Sequence, residues 1–441
     1  MKTVKFYTLG CKANQYDTQE IREQFLRAGF SEAYNGCSAQ VCVINTCTVT
    51  GKADADSLYT VRRARRENPR AKVIVTGCLT ELDAPMIRKA EPLSIMVRNK
   101  DKKTIANRLF RYSRLFRRFR QTTKMNQTNI TSPTNQRRQT NGGISFFEGH
   151  TRAFLKIQDG CNYCCSYCKV PLVRGRSCSK PLRAVVQEAR RLVANGYKEI
   201  VLTGICLGAY GRDFKPSKNL GQVIEELEDI EGLLRIRFSS IEAKDISQGL
   251  IKKLAHSKKL CRHLHIPLQS GDDEILKKMR RHYTRQQFLV LVRRLKRAIP
   301  GIAITTDVLV GFPGENDRHF QNTVKAVKGI VPLQVHIFPY SRREDTSAAC
   351  LESEEVPRAL IRERTACIRA IAEACALRYK KRFLGKVVPV LIEGRVKDTL
   401  AYWEGHTDNY IKVYVKSHRD LDNQTLWSTL KSVQGGYVMA S

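Results

Sequence analysis

The chain has 441 residues, enough for two or three domains that each bury a core. Its 77 Lys and Arg residues against 42 Asp and Glu residues give a formal net charge of +35, which indicates a polyanionic partner. No apolar run is long enough to span a bilayer, and the first apolar stretch is too short for a signal peptide. We therefore expect a cytoplasmic protein without membrane contact, and separately we expect a monomer. The fifteen cysteines of such a protein indicate metal binding or catalysis rather than disulfides.

Strand and helix patterns alternate over the first hundred residues. Strands are predicted at Val4–Thr8, Val41–Asn45 and Lys72–Thr76, with helices at Gln15–Ala28 and Ala53–Glu67 between them. This β-α-β-α-β order predicts parallel strands joined by right-handed crossovers. The amino-terminal region is therefore expected to be a parallel α/β sheet domain.

A cysteine follows each of these three strands at a short distance, namely Cys11, Cys47 and Cys78. Because the carboxyl ends of parallel strands share one edge of the sheet, where ligands bind, the three cysteines are expected to converge. Three buried cysteines that bind nothing are the alternative interpretation.

Residues 108–120 (RLFRYSRLFRRFR) place apolar side chains at helical spacing with arginines between them, which predicts a basic helix. Its arginines could contact RNA phosphates; an interdomain helix with a solvated basic face and a membrane-surface helix are the alternatives. Residues 121–143 are rich in Gln, Asn, Thr and Ser and are predicted to form a polar linker.

A second region of strands and helices follows the linker. Six strands are predicted, at Phe154–Ile157, Glu199–Leu202, Leu234–Phe238, His263–Pro267, Ala303–Leu309 and Gln334–Phe338. The helices between them are predicted at Leu182–Ala194, Leu220–Ile230, Asp245–Ala255, Gln286–Arg297 and Asp317–Lys328. Six βα units indicate a partial TIM-like barrel with its active site at the carboxyl ends of the strands.

The carboxy-terminal part begins with a helix predicted at Pro357–Phe383. Short β patterns at Val387–Ile392 and Tyr410–Val415, separated by turn residues, predict a small β-barrel after it.

The most informative motif is QDGCNYCCSYC, residues 158–168, which spaces Cys161, Cys165 and Cys168 as C-x3-C-x2-C. Three thiolates on a 4Fe–4S cluster leave one iron open, and that iron can bind the amino and carboxylate groups of S-adenosylmethionine. The reduced cluster could then cleave the sulfonium to a 5′-deoxyadenosyl radical. A register that uses Cys164 as C-x2-C-x3-C is also possible. A zinc knuckle is the alternative, but three close cysteines would need a fourth ligand and no His lies nearby downstream.

Taken together, the motifs resemble the radical S-adenosylmethionine methylthiotransferase family, most closely the branch that acts on N6-threonylcarbamoyladenosine in tRNA. The segments that carry the resemblance are TLGCKANQYDTQ (8–19), NTCTVT (45–50), TGC (76–78), LTG (202–204), YG (210–211), FSSIEA (238–243), HIPLQSGDDEIL (265–276), DVLVGFPGE (307–315) and HIFPYSRREDT (336–346). The tail resembles the family's small RNA-binding TRAM barrel. Cys178 and Cys206 depart from the residues usual in relatives.

The resemblance implies four segments in an α/β chain. These are an amino-terminal methylthiotransferase domain at 1–107, the basic helix and linker at 108–143, a partial (βα)6 radical core at 144–383 and a TRAM-like RNA-binding domain at 384–441.

The resemblance also implies two 4Fe–4S clusters and S-adenosylmethionine as cofactors. Cys11, Cys47 and Cys78 would hold the auxiliary cluster, and Cys161, Cys165 and Cys168 the radical cluster. Asn14 and Asn45 could hydrogen-bond cluster sulfurs or serve in turns. Several residues are expected to contact S-adenosylmethionine. Gly204 is expected at the methionine amino group, and Ser239, Ser240 and Glu242 at the ribose or methionine. Gly311, Gly314 and Glu315 are expected at the adenine, whereas Arg174 and Arg176 could contact either the cofactor or RNA phosphate. Turn, cap or surface ion-pair roles are the alternatives for each of these residues.

The function implied by the resemblance is addition of a methylthio group to carbon 2 of N6-threonylcarbamoyladenosine in an anticodon loop. One S-adenosylmethionine would methylate sulfur on the auxiliary cluster and a second would provide the radical. Arg342 or Arg343 is expected to bind the threonyl carboxylate. The expected partners are tRNA and an electron donor such as flavodoxin or ferredoxin. Alternatives within the family are isopentenyladenosine or a ribosomal-protein aspartate as substrate; outside it, a non-catalytic metal-bearing RNA-binding protein.

Overall fold

A computed structural model of the chain describes residues 2–33, 37–106, 142–351, 354–397, 399 and 401–441. The chain folds into two units. The first comprises residues 1–145 with 172–174, and the second comprises residues 146–171 with 175–441. The predicted basic helix at 108–120 and nearly all of the predicted linker lie outside the described residues.

Five parallel strands form the sheet of the first unit. In chain order they are β1 (Lys2–Thr8), β2 (Phe30–Glu32), β3 (Val41–Thr46), β4 (Lys72–Gly77) and β5 (Ile95–Val97). Their spatial order is β2-β1-β3-β4-β5, so the direction of winding reverses between β1 and β3. The predicted parallel α/β sheet is confirmed, and its topological switch point lies between two strands that are each followed by a candidate ligand cysteine.

Four helices among the described residues of the first unit connect and flank these strands. They are α1 (Lys12–Arg27), α2 (Gly51–Glu67), α3 (Leu79–Leu82) and α4 (Ala84–Ala90), with a 3₁₀ turn at Asn99–Thr104. The central strand β3 is buried at every position, which explains the unbroken apolar run at 41–44. Val41 and Val43 pack against α1 on one side of the sheet, while Cys42 and Ile44 pack on the other side with Val61 of α2.

Six parallel strands of the second unit form an open barrel. With a short hairpin, β7 paired to β8, the strands are β6 (Arg152–Lys156), β7 (Gln158–Asp159), β8 (Cys178–Ser179), β9 (Glu199–Thr203), β10 (Arg235–Phe238), β11 (His263–His265), β12 (Ala303–Val310) and β13 (Gln334–Pro339). The ladders β6-β9-β10 and β11-β12-β13 are joined by single bridges, Ile236 to Leu260 and Ser240 to His265. The predicted partial TIM-like barrel is therefore confirmed.

Eight helices among the described residues accompany these strands. Six lie where the sequence predicts them, whereas the short helices at Val170–Arg174 and Asp273–Lys278 are not predicted, and residues 172–174 belong to the first unit. In chain order the eight helices are α5 (Val170–Arg174), α6 (Leu182–Ala194), α7 (Leu220–Glu228), α8 (Gln248–His256), α9 (Asp273–Lys278), α10 (Arg285–Ala298), α11 (Asp317–Ile330) and α12 (Arg358–Lys381). Short 3₁₀ turns lie at Leu207–Ala209, Ala243–Asp245 and Ser347–Cys350. Capping boxes at Asn219 and Thr284 start α7 and α10. Among the described helices, none combines the length and apolarity that a membrane span requires.

A closed five-stranded barrel ends the chain, as predicted. Its strands are β14 (Val387–Arg395), β15 (Tyr402–Thr407), β16 (Lys412–Lys416), β17 (Thr425–Gln434) and β18 (Tyr437–Ala440). Its core includes Val390, Trp403 and Val413, and it continues into Tyr379 and Phe383 of α12. One hydrophobic core therefore joins the end of α12 to this barrel.

Buried charges dock the carboxy-terminal barrel against the amino ends of the radical-core strands. Glu199, at the start of β9, is fully buried and lies 2.5 Å from Arg237, 3.6 Å from Arg235 and 3.9 Å from Arg152. These arginines reach the carboxy-terminal barrel, where Arg235 donates to two backbone carbonyls and Arg152 pairs with Glu393 at 2.9 Å. Burial alone would raise the pKa of Glu199, but the three arginines outweigh it and lower the pKa to about 2.

We predict that Glu199→Gln lowers the free energy of unfolding by about 3–5 kcal/mol, because it removes the carboxylate that pairs with the buried Arg235 and Arg237. Since the folded-state pKa is depressed, the stabilisation is present at neutral pH and is lost as the pH falls towards 2. Urea unfolding at pH 7 measures the change. The control is Glu225→Gln, which breaks the exposed pair with Lys253 and should cost less than about 1 kcal/mol. Equal effects of the two substitutions would contradict the prediction.

Candidate functional site

The structure brings together three of the candidate ligand cysteines at the switch point of the first unit. Cys11 follows β1 and precedes α1, Cys47 follows β3, and Cys78 follows β4 and precedes α3. Burial and, to a smaller extent, the charges of Cys78 and Cys11 raise the pKa of Cys47 to about 11. Each thiol is therefore close enough to affect the ionisation of Cys47, as expected for groups that share one ligand.

Two glycines permit these three loops to meet. Gly10 has φ +92°, and a Cβ added there would lie 2.7 Å from the Sγ of Cys47. Gly77 has φ +106°, and its Cβ would lie 2.3 Å from the carbonyl oxygen of Thr46. Any side chain at either position would be strained and would push the cysteine loops apart.

Two buried asparagines tie the same loops together. The Nδ2 of Asn14 donates to the carbonyls of Leu9 and Thr46, both at 2.9 Å. The Nδ2 of Asn45 donates to the carbonyl of Asn14 at 2.8 Å and to the hydroxyl of Thr18 at 3.0 Å. The Oδ1 of Asn45 is buried with no hydrogen-bond partner among the described residues. The amide donors of both residues thus have loop-tying roles.

The second cysteine group lies on the loop after β7, in the second unit. The side chain of Gln158 holds this loop in place. Its Nε2 donates to the carbonyl oxygens of Asp159 and Gly160, at 2.9 and 2.7 Å, and to the hydroxyl of Ser177 at 2.9 Å. Its Oε1 accepts from the backbone N–H of Cys206 at 2.8 Å. The loop that carries Cys161, Cys165 and Cys168 is therefore fixed by a buried amide rather than by regular secondary structure.

Arg281 contacts this group of cysteines. Its guanidinium donates to the Sγ of Cys165 at 3.4 Å and forms an ion pair with Glu242. Cys164, by contrast, is exposed, and its thiol has only a 4.0 Å contact with the carbonyl of Asn162. This geometry favours the register that uses Cys165.

The thiol chemistry of this group fits a positively charged ligand. Burial raises the pKa of Cys168 to about 12 and also raises that of Cys165, against the charge of Arg281. A metal ion deprotonates a coordinating thiol outright, so an iron cluster would supply the compensation that these buried thiolates need.

Cys206 lies next to the first ligand cysteine. A hydrogen bond from Cys206 lowers the pKa of Cys161 to about 7, and Cys206 itself is buried. Its Sγ lies 3.8 Å from the Oδ2 of Asp245, and the Oδ1 of the same carboxylate accepts from Tyr163 and Arg212, both at 2.7 Å. The departure from the family pattern at position 206 therefore lies within the site.

The residues expected to hold S-adenosylmethionine lie beyond the carboxyl ends of the barrel strands. Gly204 follows β9, and Ser239, Ser240 and Glu242 follow β10. The hydroxyl of Ser239 is buried and has no hydrogen-bond partner among the described residues. A bound molecule with polar groups would satisfy this hydroxyl, so the residues present fit the cofactor.

The turn after β12 contains two glycines with positive φ angles and a buried glutamate. Gly311 and Gly314 adopt φ +77° and +80°. Glu315 accepts from the N–H of Gly311 at 3.1 Å and from Arg364 of α12 at 2.8 Å. Its side chain therefore braces the turn, while the prediction that this turn contacts adenine stays a prediction.

The two arginines predicted to bind cofactor or RNA lie in different surroundings. Arg174 belongs to the first unit and contacts Asn14 and Asp17, with Asp17 at 3.2 Å. Arg176 is exposed. Arg174 therefore supports the loop of the first cysteine group, and the roles predicted for the two arginines remain predictions.

Three side chains that contact the second cysteine group or its neighbours were not predicted from the sequence: Gln158, Asp245 and Arg281. Gln158 directly precedes the cysteine motif, so its position could have suggested a role. Arg281 is far from Cys165 in sequence and lies among several other basic residues, and no local pattern distinguishes it.

Two family models match the chain. Residues 155–327 match the radical SAM superfamily, and residues 3–98 match the Uncharacterized protein family UPF0004. Among solved structures, a radical S-adenosylmethionine methyltransferase from Kitasatospora setae, with cobalamin and a 4Fe–4S cluster bound, superposes with a TM-score of 0.55. It covers 79% of this chain and 77% of its own, at 15% identity, which supports the fold alone. The cysteine loop at the mouth of a partial barrel thus defines a radical S-adenosylmethionine enzyme.

Curated relatives narrow this class. The threonylcarbamoyladenosine tRNA methylthiotransferase of Bacillus subtilis is 38% identical over 99% of this chain and 95% of its own length. That of Thermotoga maritima is 35% identical over 94% and 91%. The tRNA-2-methylthio-N6-dimethylallyladenosine synthase of Clostridium tetani is 31% identical over 91% and 87%. The chain belongs to the methylthiotransferase family of radical S-adenosylmethionine enzymes, whose cofactors are two iron–sulfur clusters and S-adenosylmethionine.

We predict that Arg281→Gln makes the reduction potential of the radical cluster more negative. The substitution removes a positive charge and a hydrogen bond to the sulfur of Cys165, both of which favour the reduced cluster. An anaerobic redox titration followed by electron paramagnetic resonance measures the potential. The control is Lys277→Gln, an exposed change on nearby α9, which should leave the potential unchanged. A potential equal to that of the wild type would disprove the predicted role of Arg281.

Proposed function

We propose that the protein adds a methylthio group to carbon 2 of N6-threonylcarbamoyladenosine in the anticodon loop of tRNA. The observation that carries the proposal is the presence of two separate cysteine triads, one at the carboxyl ends of three parallel strands and one on the single loop after β7. A radical enzyme needs one cluster to cleave S-adenosylmethionine, and a sulfur-inserting enzyme also needs a sulfur carrier. Relatives with near-complete coverage carry the threonylcarbamoyladenosine name.

In this proposal Cys161, Cys165 and Cys168 hold the radical cluster, and Cys11, Cys47 and Cys78 hold the auxiliary cluster. When bound, the clusters and S-adenosylmethionine supply the adenosyl radical and the sulfur. The protein itself orients the cofactor and limits its contact with water. Arg281 and Glu242 form a buried ion pair beside the cysteines, and Ser239 offers a buried hydroxyl to the cofactor.

The carboxy-terminal barrel is suited to contact RNA. Trp427 of β17 is 73% exposed, which is unusual for so large an aromatic side chain. Tyr414 and Tyr437 stack with their ring centroids 3.8 Å apart, and the ammonium of Lys412 lies 5.3 Å from the Tyr414 ring centroid. Exposed aromatic rings bind unpaired bases by stacking, while the excess of basic residues binds phosphates.

The end of β13 offers a cation for the threonyl carboxylate. Arg342 is exposed just past β13, whereas Arg343 is buried. Arg342 is therefore the better candidate of the two residues that the sequence suggested. We further propose that flavodoxin or ferredoxin donates the electron, and that the chain acts as a cytoplasmic monomer.

Replacing one cysteine triad at a time tests the division of labour between the clusters. The reconstituted wild type should contain about eight irons, from two 4Fe–4S clusters. Joint replacement of Cys11, Cys47 and Cys78 by Ala should roughly halve the iron, yet leave cleavage of S-adenosylmethionine to 5′-deoxyadenosine. Replacement of the other triad should abolish that cleavage. A variant of the first triad that retains full iron and methylthiolation would overturn the assignment.

The substrate is tested with one tRNA carrying threonylcarbamoyladenosine, isopentenyladenosine or unmodified adenosine at the same position. Mass spectrometry of the digested nucleosides should show methylthiolation chiefly of the threonylcarbamoyl form. Arg342→Gln should raise the KM for that form about tenfold or more, because a hydrogen bond to a charged group is lost. Preference for the isopentenyl form would refute the proposed substrate assignment but not the assignment to the class of methylthiotransferases.

A further inference from the structure

A group of imidazole and carboxylate side chains on the radical-core strands lies apart from the cysteines. His265, Asp307 and His336 are on β11, β12 and β13, and one potential ligand atom of each lies within 4.8 Å of those of the other two. Asp307 is in register with His336, and His265 is in register with Thr305. Because side chains alternate along a strand, these four side chains project from the same face of the sheet.

This face is the open interior of the barrel. Thr306 and Val308, which point the other way from β12, are fully buried. Asp307 keeps 19% of its side-chain surface accessible, and His336 is exposed. The charge of Asp307 also reaches Glu242, the partner of the arginine beside the cysteines. The group therefore lies where a substrate entering the barrel would approach the cofactor.

A hydrogen-bond chain fixes the orientation of Asp307. The hydroxyl of Thr305 lies 2.9 Å from the Nε2 of His263 and 3.0 Å from the Nδ1 of His265. The Nε2 of His265 lies 3.2 Å from the Oδ1 of Asp307. A hydroxyl has one proton, so Thr305 can donate to His265 while it accepts from His263, and the Nε2–H of His265 then donates to the carboxylate of Asp307. This assignment satisfies all three contacts.

We propose that Asp307 and His336 read the N6 substituent of the target adenosine, an inference that rests on the proposed function. The carboxylate of Asp307 would accept the N6–H, which threonylcarbamoyladenosine shares with unmodified adenosine. A ring N–H of His336 would donate to the carbonyl oxygen of the carbamoyl group, which unmodified adenosine and isopentenyladenosine lack. Asp307 thus positions the base, and His336 determines specificity.

A divalent cation is the competing occupant, because two histidines and a carboxylate are common metal ligands. The contacts of His265 argue against it. Both of its ring nitrogens are already engaged, one by Thr305 and the other by Asp307. A ligand with its own donors and acceptors leaves these contacts intact, whereas a cation bound by all three residues would break one of them.

The test compares kcat/KM for methylthiolation of one tRNA that carries either threonylcarbamoyladenosine or unmodified adenosine, with binding competition where turnover is too slow to measure. His336→Phe should lower the preference for the threonylcarbamoyl form about tenfold or more, because it removes the donor and retains the ring. His336→Gln keeps a donor and should restore most of the preference. Asp307→Asn should lower kcat/KM for both substrates by a similar factor. His256→Phe, on the outer helix α8, is the matched control and should change neither.

Several outcomes would overturn the inference. One is an unchanged preference in His336→Phe with wild-type iron content, and another is an equal loss on both substrates. If His336→Phe does not fold, the His336→Gln variant decides. A preference of that variant for the threonylcarbamoyl form more than tenfold below the wild-type preference would count against His336 as the hydrogen-bond donor. A zinc or manganese equivalent in the purified holoenzyme that disappears in Asp307→Asn would favour the cation instead. A wild type that ignores the threonylcarbamoyl form would refute the proposed function itself, which is a distinguishable failure.

Discussion

The parallel arrangement of the strands is the constraint on which both candidate sites depend. A parallel strand must be reached by a crossover connection, so every loop that leaves the carboxyl end of a strand emerges at one edge of the sheet. In the first unit this edge collects Cys11, Cys47 and Cys78 from loops that are distant in sequence. In the second unit the same geometry gathers Gly204, Ser239 and the turn after β12 around the mouth of the barrel.

The two units solve the problem of holding thiols in different ways. In the first, each cysteine comes from a separate strand end, so the sheet itself fixes their separation, and Gly10 and Gly77 allow the close approach. In the second, the cysteines lie on one loop, which buried polar contacts from Gln158 and Arg281 hold in place. The first arrangement depends on the whole fold, whereas the second is a local structure mounted on a barrel.

These differences explain how far sequence reasoning could go. The order of strands, the open barrel and the closed terminal barrel could be predicted because apolar periodicity and turn residues are local signals. The short edge strands β2 and β5 were not predicted, because three-residue strands show no periodicity. The cysteine motifs were visible from spacing, but the cation beside Cys165 was not. Arg281 lies beside that thiol only because the folded chain brings the two together. The proximity of Asp307 and His336 arises in the same way.

The docking of the carboxy-terminal barrel has a geometric consequence for the choice of substrate. Glu199 and its arginines secure that barrel at the amino ends of the strands, opposite to the mouth where the cysteine loop lies. The longest of these strands, β12, has eight residues and spans about 26 Å at roughly 3.3 Å per residue. A molecule that touches both ends must bridge this length, about eight stacked bases at 3.4 Å each. A free nucleoside in the mouth could not also reach the carboxy-terminal barrel, whereas the polynucleotide proposed as the substrate is long enough to do so.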